Sequence, residues 1–264
     1  MPRKRIALGI EYDGSFWEGW QTQPHGRTVQ DVLERAIASF ADQAVATICA
    51  GRTDAGVHAV GQVVHFDCDR QRDENSWVRG VNRFLPPQIA LRWARGVEAD
   101  FHARYSARAR HYQYWIWNDA VRSPLLDRRT GWVFRRLDVD AMQAGAAQLL
   151  GTHDFSSFRS AQCQSASAIR TLIRCEVERV GGGPLVRVRA SANAFLHHMV
   201  RNLVGALVAV GTGRERVDWI RQVLEARDRT QAAATIEAAG LYLTEVEYDA
   251  KCGLPRAQER LLFP

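Results

Sequence analysis

Two strand-like patterns separated by a glycine-bounded turn, between residues 44 and 69, constrain the fold of this chain more than any other stretch. Ahead of the turn, Ala44 to Cys49 carries Val45, Thr47 and Ile48 at strand-favouring positions. Beyond it, Val64, Phe66 and Cys68 alternate with His65, Asp67 and Asp69, the period of a half-buried strand. The turn itself reads Gly51-Arg52-Thr53-Asp54-Ala55-Gly56-Val57-His58-Ala59. Glycine accepts backbone angles that other residues resist, so the run can turn tightly and present Arg52 and Asp54 together in a cleft.

By spacing alone, an Arg-x-Asp pair in such a turn is most often a solvated surface ion pair of little energetic weight. Asp54-Ala55-Gly56 also resembles half of an aspartic protease, whose chemistry needs two carboxylates sharing a proton. No second Asp-Thr-Gly or Asp-Ser-Gly occurs in the chain, which argues against a protease.

Periodicity predicts a strand at about Arg5 to Tyr12, a helix at about Val29 to Asp42, the strand pair around Asp54, a helix near Trp77 to Phe84 and a strand near Ile89 to Gly96. From Ser106 the pattern resumes with a long strand through Tyr112 to Trp117 and a helix from Asp138 to Leu150. Strands near Ile169 to Val180 and Leu185 to Ala192, helices over Leu196 to Val210 and Val217 to Ala226, and a strand from Leu241 to Tyr248 complete it. Both halves are therefore of the α+β class. The division is expected at the joint near Arg104 to Ala109, giving lobes 1–104 and 105–264 with no linker composition between them.

Five widely spaced cysteines, with no Cys-x-x-Cys pair and no completing histidine set, predict free thiols and no zinc site. The basic start lacks an apolar signal core, and no run is long enough to span a membrane, so the cytoplasm is the expected compartment. A formal net charge of +6 and a pI near 9.4 suit a polyanionic partner, although only Lys4 and Lys251 are lysines and bulk arginine content is weak evidence. Clustering says more. Arg104, Arg108 and Arg110 lie close together, and Arg128, Arg129, Arg135 and Arg136 bracket Trp132 and Phe134, an interleaving that fits RNA.

The run Gly51 to Ala59, continuing into Gly61-Gln62-Val63-Val64-His65-Phe66, closely resembles the signature of the tRNA pseudouridine synthase A family. Further matches follow in order: Tyr12-Asp13-Gly14, Gly19-Trp20-Gln21, Phe101-His102-Ala103-Arg104, Arg110 to Tyr114, Gly151 to Phe155, Phe195 to Asn202, and Ala232-Ala233-Ala234 leading to Gly240-Leu241-Tyr242-Leu243. The resemblance runs from about residue 5 to about residue 249, and Ala250 to Pro264 has no counterpart in it. It implies two ferredoxin-like, RRM-like lobes whose antiparallel sheets join into one, with the signature loop in a central cleft. It also implies a homodimer that binds tRNA and isomerises uridine to pseudouridine at positions 38–40, on the 3′ side of the anticodon stem-loop.

The resemblance implies a role for each candidate residue. Asp54 matches the catalytic aspartate, which acts as a nucleophile at sugar or base, or as a base removing a sugar proton; the sequence leaves these open. Arg52 is implied to help displace the target nucleotide. Arg201 sits at the margin of the apolar arc formed by Met199, Val200, Leu203, Val204, Leu207 and Val208; by itself it reads as a snorkelling side chain, and the resemblance pairs it with the aspartate. Tyr112 reads by itself as a core aromatic of its strand, and by resemblance as the tyrosine that stacks on the flipped base. Leu241 would be an apolar wall of the same pocket.

No Gly-x-Gly-x-x-Gly, Walker loop or His-Glu-x-x-His helix offers a cofactor site, and none is expected. His197 and His198, as neighbours on a helix, are expected to point in different directions, and with His58 and His65 they stay outside the catalytic set. Two other readings compete. A tRNA-binding or folding chaperone would use the basic clusters without Asp54, and a glycoside hydrolase would want a second carboxylate opposite the first.

Overall fold

The computed structural model describes residues 4–255, so positions 256–264 of the unmatched tail lie outside the described residues. The chain forms two compact units, Met1–Arg108 with Tyr242–Pro264, and Ala109–Leu241. This differs from a division by chain order at 104/105, because the last strand groups with the first unit. Its Tyr248 hydroxyl donates to the Ala103 carbonyl (2.6 Å).

The first unit runs β1 (Lys4–Tyr12), α1 (Val29–Ala41), β2 (Ile48–Cys49), β3 (His58–Cys68), α2 (Glu74–Asn82) and β4 (Ile89–Val97), with β10 (Leu241–Tyr248) returning to it. β1 lies between β4 and β3, antiparallel to both, and β2 pairs antiparallel with β3. The element order β-α-β-β-α-β with strand order β4-β1-β3-β2 is ferredoxin-like. β10 pairs with the first residues of β3 and runs parallel to it, Tyr242 opposite His58 and Leu243 opposite Ala59.

Local chemistry sets these boundaries. Thr28 caps α1 in a reciprocal capping box with Asp31, and Val29, Leu33, Ala36, Ile37 and Ala41 bury one face of the helix. Asp73 caps α2 by accepting from the Ser76 amide (2.9 Å), which starts the helix three residues before the expected Trp77. Trp77 then packs edge-on against both Phe40 and Phe66.

β2 is much shorter than the expected strand from Ala44. The Thr47 amide and hydroxyl donate to Glu34 Oε1 (2.7 and 2.8 Å), and the Thr47 carbonyl accepts from Gln30 Nε2 (3.1 Å). Side chains of α1 thus take the backbone groups that a longer ladder would need.

The second unit contains β5 (Ala107–Asn118), β6 (Gly131–Val133), α3 (Val139–Ala147), β7 (Gly151–Asp154), β8 (Ile169–Arg179), β9 (Leu185–Ala192), α4 (Met199–Gly211) and α5 (Trp219–Ala226). The strands β5-β9-β8-β7 are antiparallel neighbours, and β6 adds a short parallel pairing to β5. Within each unit the strand pairings are thus antiparallel except for one short parallel pairing, β10 with β3 in the first and β6 with β5 in the second. None of the five cysteines is in a disulfide, and among the described residues no helix is long and apolar enough to cross a membrane.

Candidate active site

In the first unit, the loop from Gly51 to Val57 is fixed from several sides by residues distant in sequence. The Gly51 carbonyl accepts from Gln62 Nε2 (2.6 Å), and Gln62 is fully buried on β3. The Thr53 hydroxyl bonds the Tyr12 hydroxyl at 2.7 Å, and the Thr53 carbonyl accepts from the Trp20 amide at 3.0 Å. The Val57 amide closes a tight turn onto the Asp54 carbonyl (3.2 Å), with Gly56 at φ 79° in the left-handed region.

Two glycines let other segments approach this turn. A Cβ on Gly14 would lie 2.0 Å from the Val57 carbonyl oxygen. One on Gly19, whose φ is 87°, would lie 3.1 Å from the Thr53 oxygen and 3.2 Å from the Ala55 nitrogen. His58 completes the clasp: its Nδ1 accepts from the Gly14 amide (3.1 Å) and its ring stacks on Tyr242 at 4.5 Å. The motifs Tyr12-Asp13-Gly14 and Gly19-Trp20-Gln21 therefore meet the Asp54 loop physically.

Asp54 is half-buried and Arg52 is exposed. Among the described residues Arg52 makes no ion pair, so the surface ion pair suggested by the spacing does not form. Arg52 is still close enough to Cys49 to favour its thiolate, but burial dominates and pushes that thiol up to about 12. Cys49 is an inert core residue under the loop.

His65 and His102 form a second cluster of this unit. His65 Nδ1 accepts from the Ala103 amide (3.1 Å), and burial, with Arg5 and His102 nearby, lowers its pKa from 6.5 to about 4. Its role is structural, tying β3 to the segment Phe101–Arg104.

Tyr112, Arg201 and Leu241 belong to the second unit. Tyr112 is buried on β5 opposite the small Ala190, and its ring meets Phe195 edge-to-face at 5.1 Å. The Arg110 guanidinium donates to the Asn193 carbonyl (2.8 Å), so β5 holds the connection from β9 to α4 at two points.

Arg201 is the only charged residue of α4, a helix buried on nearly every side rather than along one arc. A guanidinium there needs compensation. Part of it comes from the Ile236 carbonyl, which accepts from Arg201 Nε at 2.9 Å. Arg201 also acts on Tyr114: burial, with help from Glu237, pushes the Tyr114 hydroxyl well above its usual range, and Arg201 opposes this. That hydroxyl donates to the Glu237 carbonyl (2.9 Å).

The segment that supplies Ile236 is itself anchored on α4. Asn202, fully buried, donates to the Phe158 carbonyl (2.8 Å) and accepts from the Thr235 hydroxyl (2.6 Å). A Cβ on Gly205 would lie 2.4 Å from the Ala234 carbonyl oxygen, so Gly205 is what admits the Ala232-Ala233-Ala234 segment. Farther along, the Trp115 amide donates to the Gly240 carbonyl (2.9 Å) and the Leu241 amide to the Ala238 carbonyl (2.9 Å), which fixes the buried Leu241.

His197 and His198 depart from expectation. They precede α4 rather than lying on it, because His198 takes a left-handed conformation (φ 62°) ahead of Met199. Their rings consequently sit side by side, 4.0 Å between centroids. Residue types alone did not mark Tyr114 and Ile236 as neighbours of Arg201, or Glu237 as a neighbour of Tyr114.

Comparison with known proteins adds to this geometry. The family model described as tRNA pseudouridine synthase matches residues 9–106 and 146–249. A protein of Janthinobacterium sp. (strain Marseille) named tRNA pseudouridine synthase A is 54% identical, covering 97% of this chain and 96% of that one. Proteins of the same name from Bordetella parapertussis (58% identical, 94% and 92% covered) and Burkholderia multivorans (56%, 96% and 93%) are similar over the same extent.

Proposed function

Because the chain belongs to the tRNA pseudouridine synthase family and is thereby an isomerase, we propose that it converts uridine to pseudouridine in tRNA, on the 3′ side of the anticodon stem-loop. It does so without a cofactor, as a cytoplasmic homodimer. The observation that carries the reading is the bracing of the Asp54 loop. A half-buried carboxylate sits on a turn clasped by Tyr12, Gly14, Gly19, His58 and Gln62. Such bracing holds a reacting group within the narrow tolerance that catalysis requires.

The reaction breaks the bond from the ribose C1′ to N1 of uracil and makes a bond from C1′ to C5. The C5 proton is lost and N1 gains one, so no electrons are exchanged. Asp54 serves as the carboxylate of this sequence, as a nucleophile at sugar or base or as the base that removes a sugar proton. Arg201 is assigned as the cation that pairs with this aspartate during turnover, a role supported by its being the one charged residue on a buried helix. Tyr112 offers an aromatic wall to the extruded uracil, which offsets part of the lost stacking, and Leu241 an apolar one. Arg52, exposed and without an ion pair among the described residues, is available to help displace the target nucleotide.

The test is to map pseudouridine in unmodified tRNA transcripts after incubation with the wild-type chain, Asp54→Ala and Arg201→Ala. The wild type should modify uridines only on the 3′ side of the anticodon stem-loop. Asp54→Ala should bind tRNA and modify none, and Arg201→Ala should retain a small rate. Unmodified tRNA with wild-type protein that still binds it tightly would favour a folding chaperone instead.

A further inference from the structure

Residues 119–136 of the second unit form an arginine-rich aromatic surface that the proposed chemistry does not use. Trp132 is 44% exposed and Phe134 60% exposed, with ring centroids 6.4 Å apart. Large apolar side chains left in water as a cluster mark an interaction site. The Trp132 indole and the backbone on either side of Phe134 are also held rather than loose. The Trp132 amide donates to Glu237 Oε1 (2.9 Å), and its indole Nε1 donates to the Asp119 carbonyl (2.9 Å). Asn118 Nδ2 donates to the carbonyls of Val133 (2.9 Å) and Arg135 (2.7 Å), and β6 pairs with β5 beneath them. Little conformational entropy remains to be lost on binding.

Charge identifies the partner. The stretch holds five arginines against two aspartates. Arg122, Arg135 and Arg136 are exposed and make no ion pair among the described residues. The Arg135 guanidinium lies 5.7 Å from the Phe134 ring centroid, so cation and ring form one platform. A second copy of this chain fits poorly, since a two-fold contact apposes a patch with itself and would set these arginines against one another. A polyanion with exposed planar rings fits both features.

We propose that Trp132 and Phe134 stack on unpaired bases of the tRNA substrate while Arg122, Arg135 and Arg136 hold the flanking phosphates. This makes the surface an RNA contact separate from the residues that carry the chemistry. The inference rests on the tRNA reading above.

Three paired variants of the full-length protein test it: Trp132→Ala with Phe134→Ala, Trp132→Tyr with Phe134→Tyr, and Arg135→Gln with Arg136→Gln. Binding of an unmodified tRNA transcript is read by fluorescence anisotropy across a salt series, and turnover by tritium release from C5-labelled uridine. The alanine pair should weaken Kd by about tenfold or more and raise KM in step, with kcat at saturating tRNA unchanged. The tyrosine pair, which keeps the stacking faces, should bind within about twofold of wild type. The glutamine pair should flatten the slope of log Kd against log salt by about 1.4 to 1.8.

A folded alanine pair that binds tRNA as wild type does overturns the proposal, as does a change in sedimentation mass with Kd unaltered, which would make this face a protein contact. Should the alanine pair not fold, the tyrosine and glutamine pairs decide. Wild-type protein that binds through these rings but turns nothing over would sink the catalytic reading and leave this contact standing.

Discussion

Gly14→Ala is a one-carbon change that tests whether the Asp54 loop is positioned by the segment packed under it. An alanine Cβ at this position would lie 2.0 Å from the Val57 carbonyl oxygen and 2.4 Å from its carbon, whereas real Cβ contacts stay beyond 3.0 Å. Both colliding atoms are backbone, so no rotamer change relieves the overlap, and the two segments must part by about 1 Å. The displaced end is the turn that Val57 closes onto the Asp54 carbonyl, and the same shift pulls His58 from the Gly14 amide. A misplacement of about 1 Å costs on the order of 100-fold in rate, and overpacking of this kind costs about 1–3 kcal/mol in stability. Tritium release at saturating tRNA, thermal unfolding and tRNA affinity should be measured on the same preparation. The expected result is a folded protein with a Tm lowered by several degrees, tRNA affinity within a few-fold of wild type and kcat reduced about 100-fold. A variant with wild-type kcat would refute the claim that this clasp sets the position of Asp54.

Gly205→Ala should destabilise the second unit by about 1–3 kcal/mol, because its Cβ would lie 2.4 Å from the Ala234 carbonyl oxygen; urea unfolding of wild type and variant measures this. His65 supplies a pH dependence. Its pKa, near 6.5 when unfolded, is about 4 in the fold because of burial and nearby Arg5, so the unfolded chain binds the extra proton between those values. Stability from this residue is therefore complete above pH 6.5 and is lost as pH falls toward 4, on the order of 2 kcal/mol after allowance for solvent screening. His65→Asn, which retains an acceptor for the Ala103 amide, should flatten that slope in urea titrations from pH 7 to pH 4.5. An unchanged slope would assign the dependence elsewhere.

The strands whose side chains alternate were legible in the sequence. β1, β4, β5, β8, β9 and β10 fall within a few residues of expectation, and β9 and β10 match it at both ends. β6 and β7 were not, because Gly131-Trp132-Val133 and Gly151-Thr152-His153-Asp154 carry no alternation and exist through pairing with β5 and β8. The predicted helix to Leu150 stops at Ala147, since the amides of Gln148 and Leu149 bond three residues back (3.1 Å each) and tighten the last turn. In the site, Arg52 and Asp54 announced themselves through the glycines around them. The surroundings of Arg201 did not, because the Ile236 and Glu237 groups that meet Arg201 and Tyr114 are mostly backbone carbonyls, which any residue type supplies.

If Asp54 carries a cofactor-free isomerisation of uridine in tRNA, turnover must disappear with its carboxylate. Tritium release from unmodified tRNA labelled at uracil C5, comparing wild type with Asp54→Asn and with no added cofactor, tests it most directly. Wild type should release tritium and Asp54→Asn none, with tRNA bound equally by both. Release by Asp54→Asn at the wild-type rate, or by neither protein despite tight binding, would contradict it.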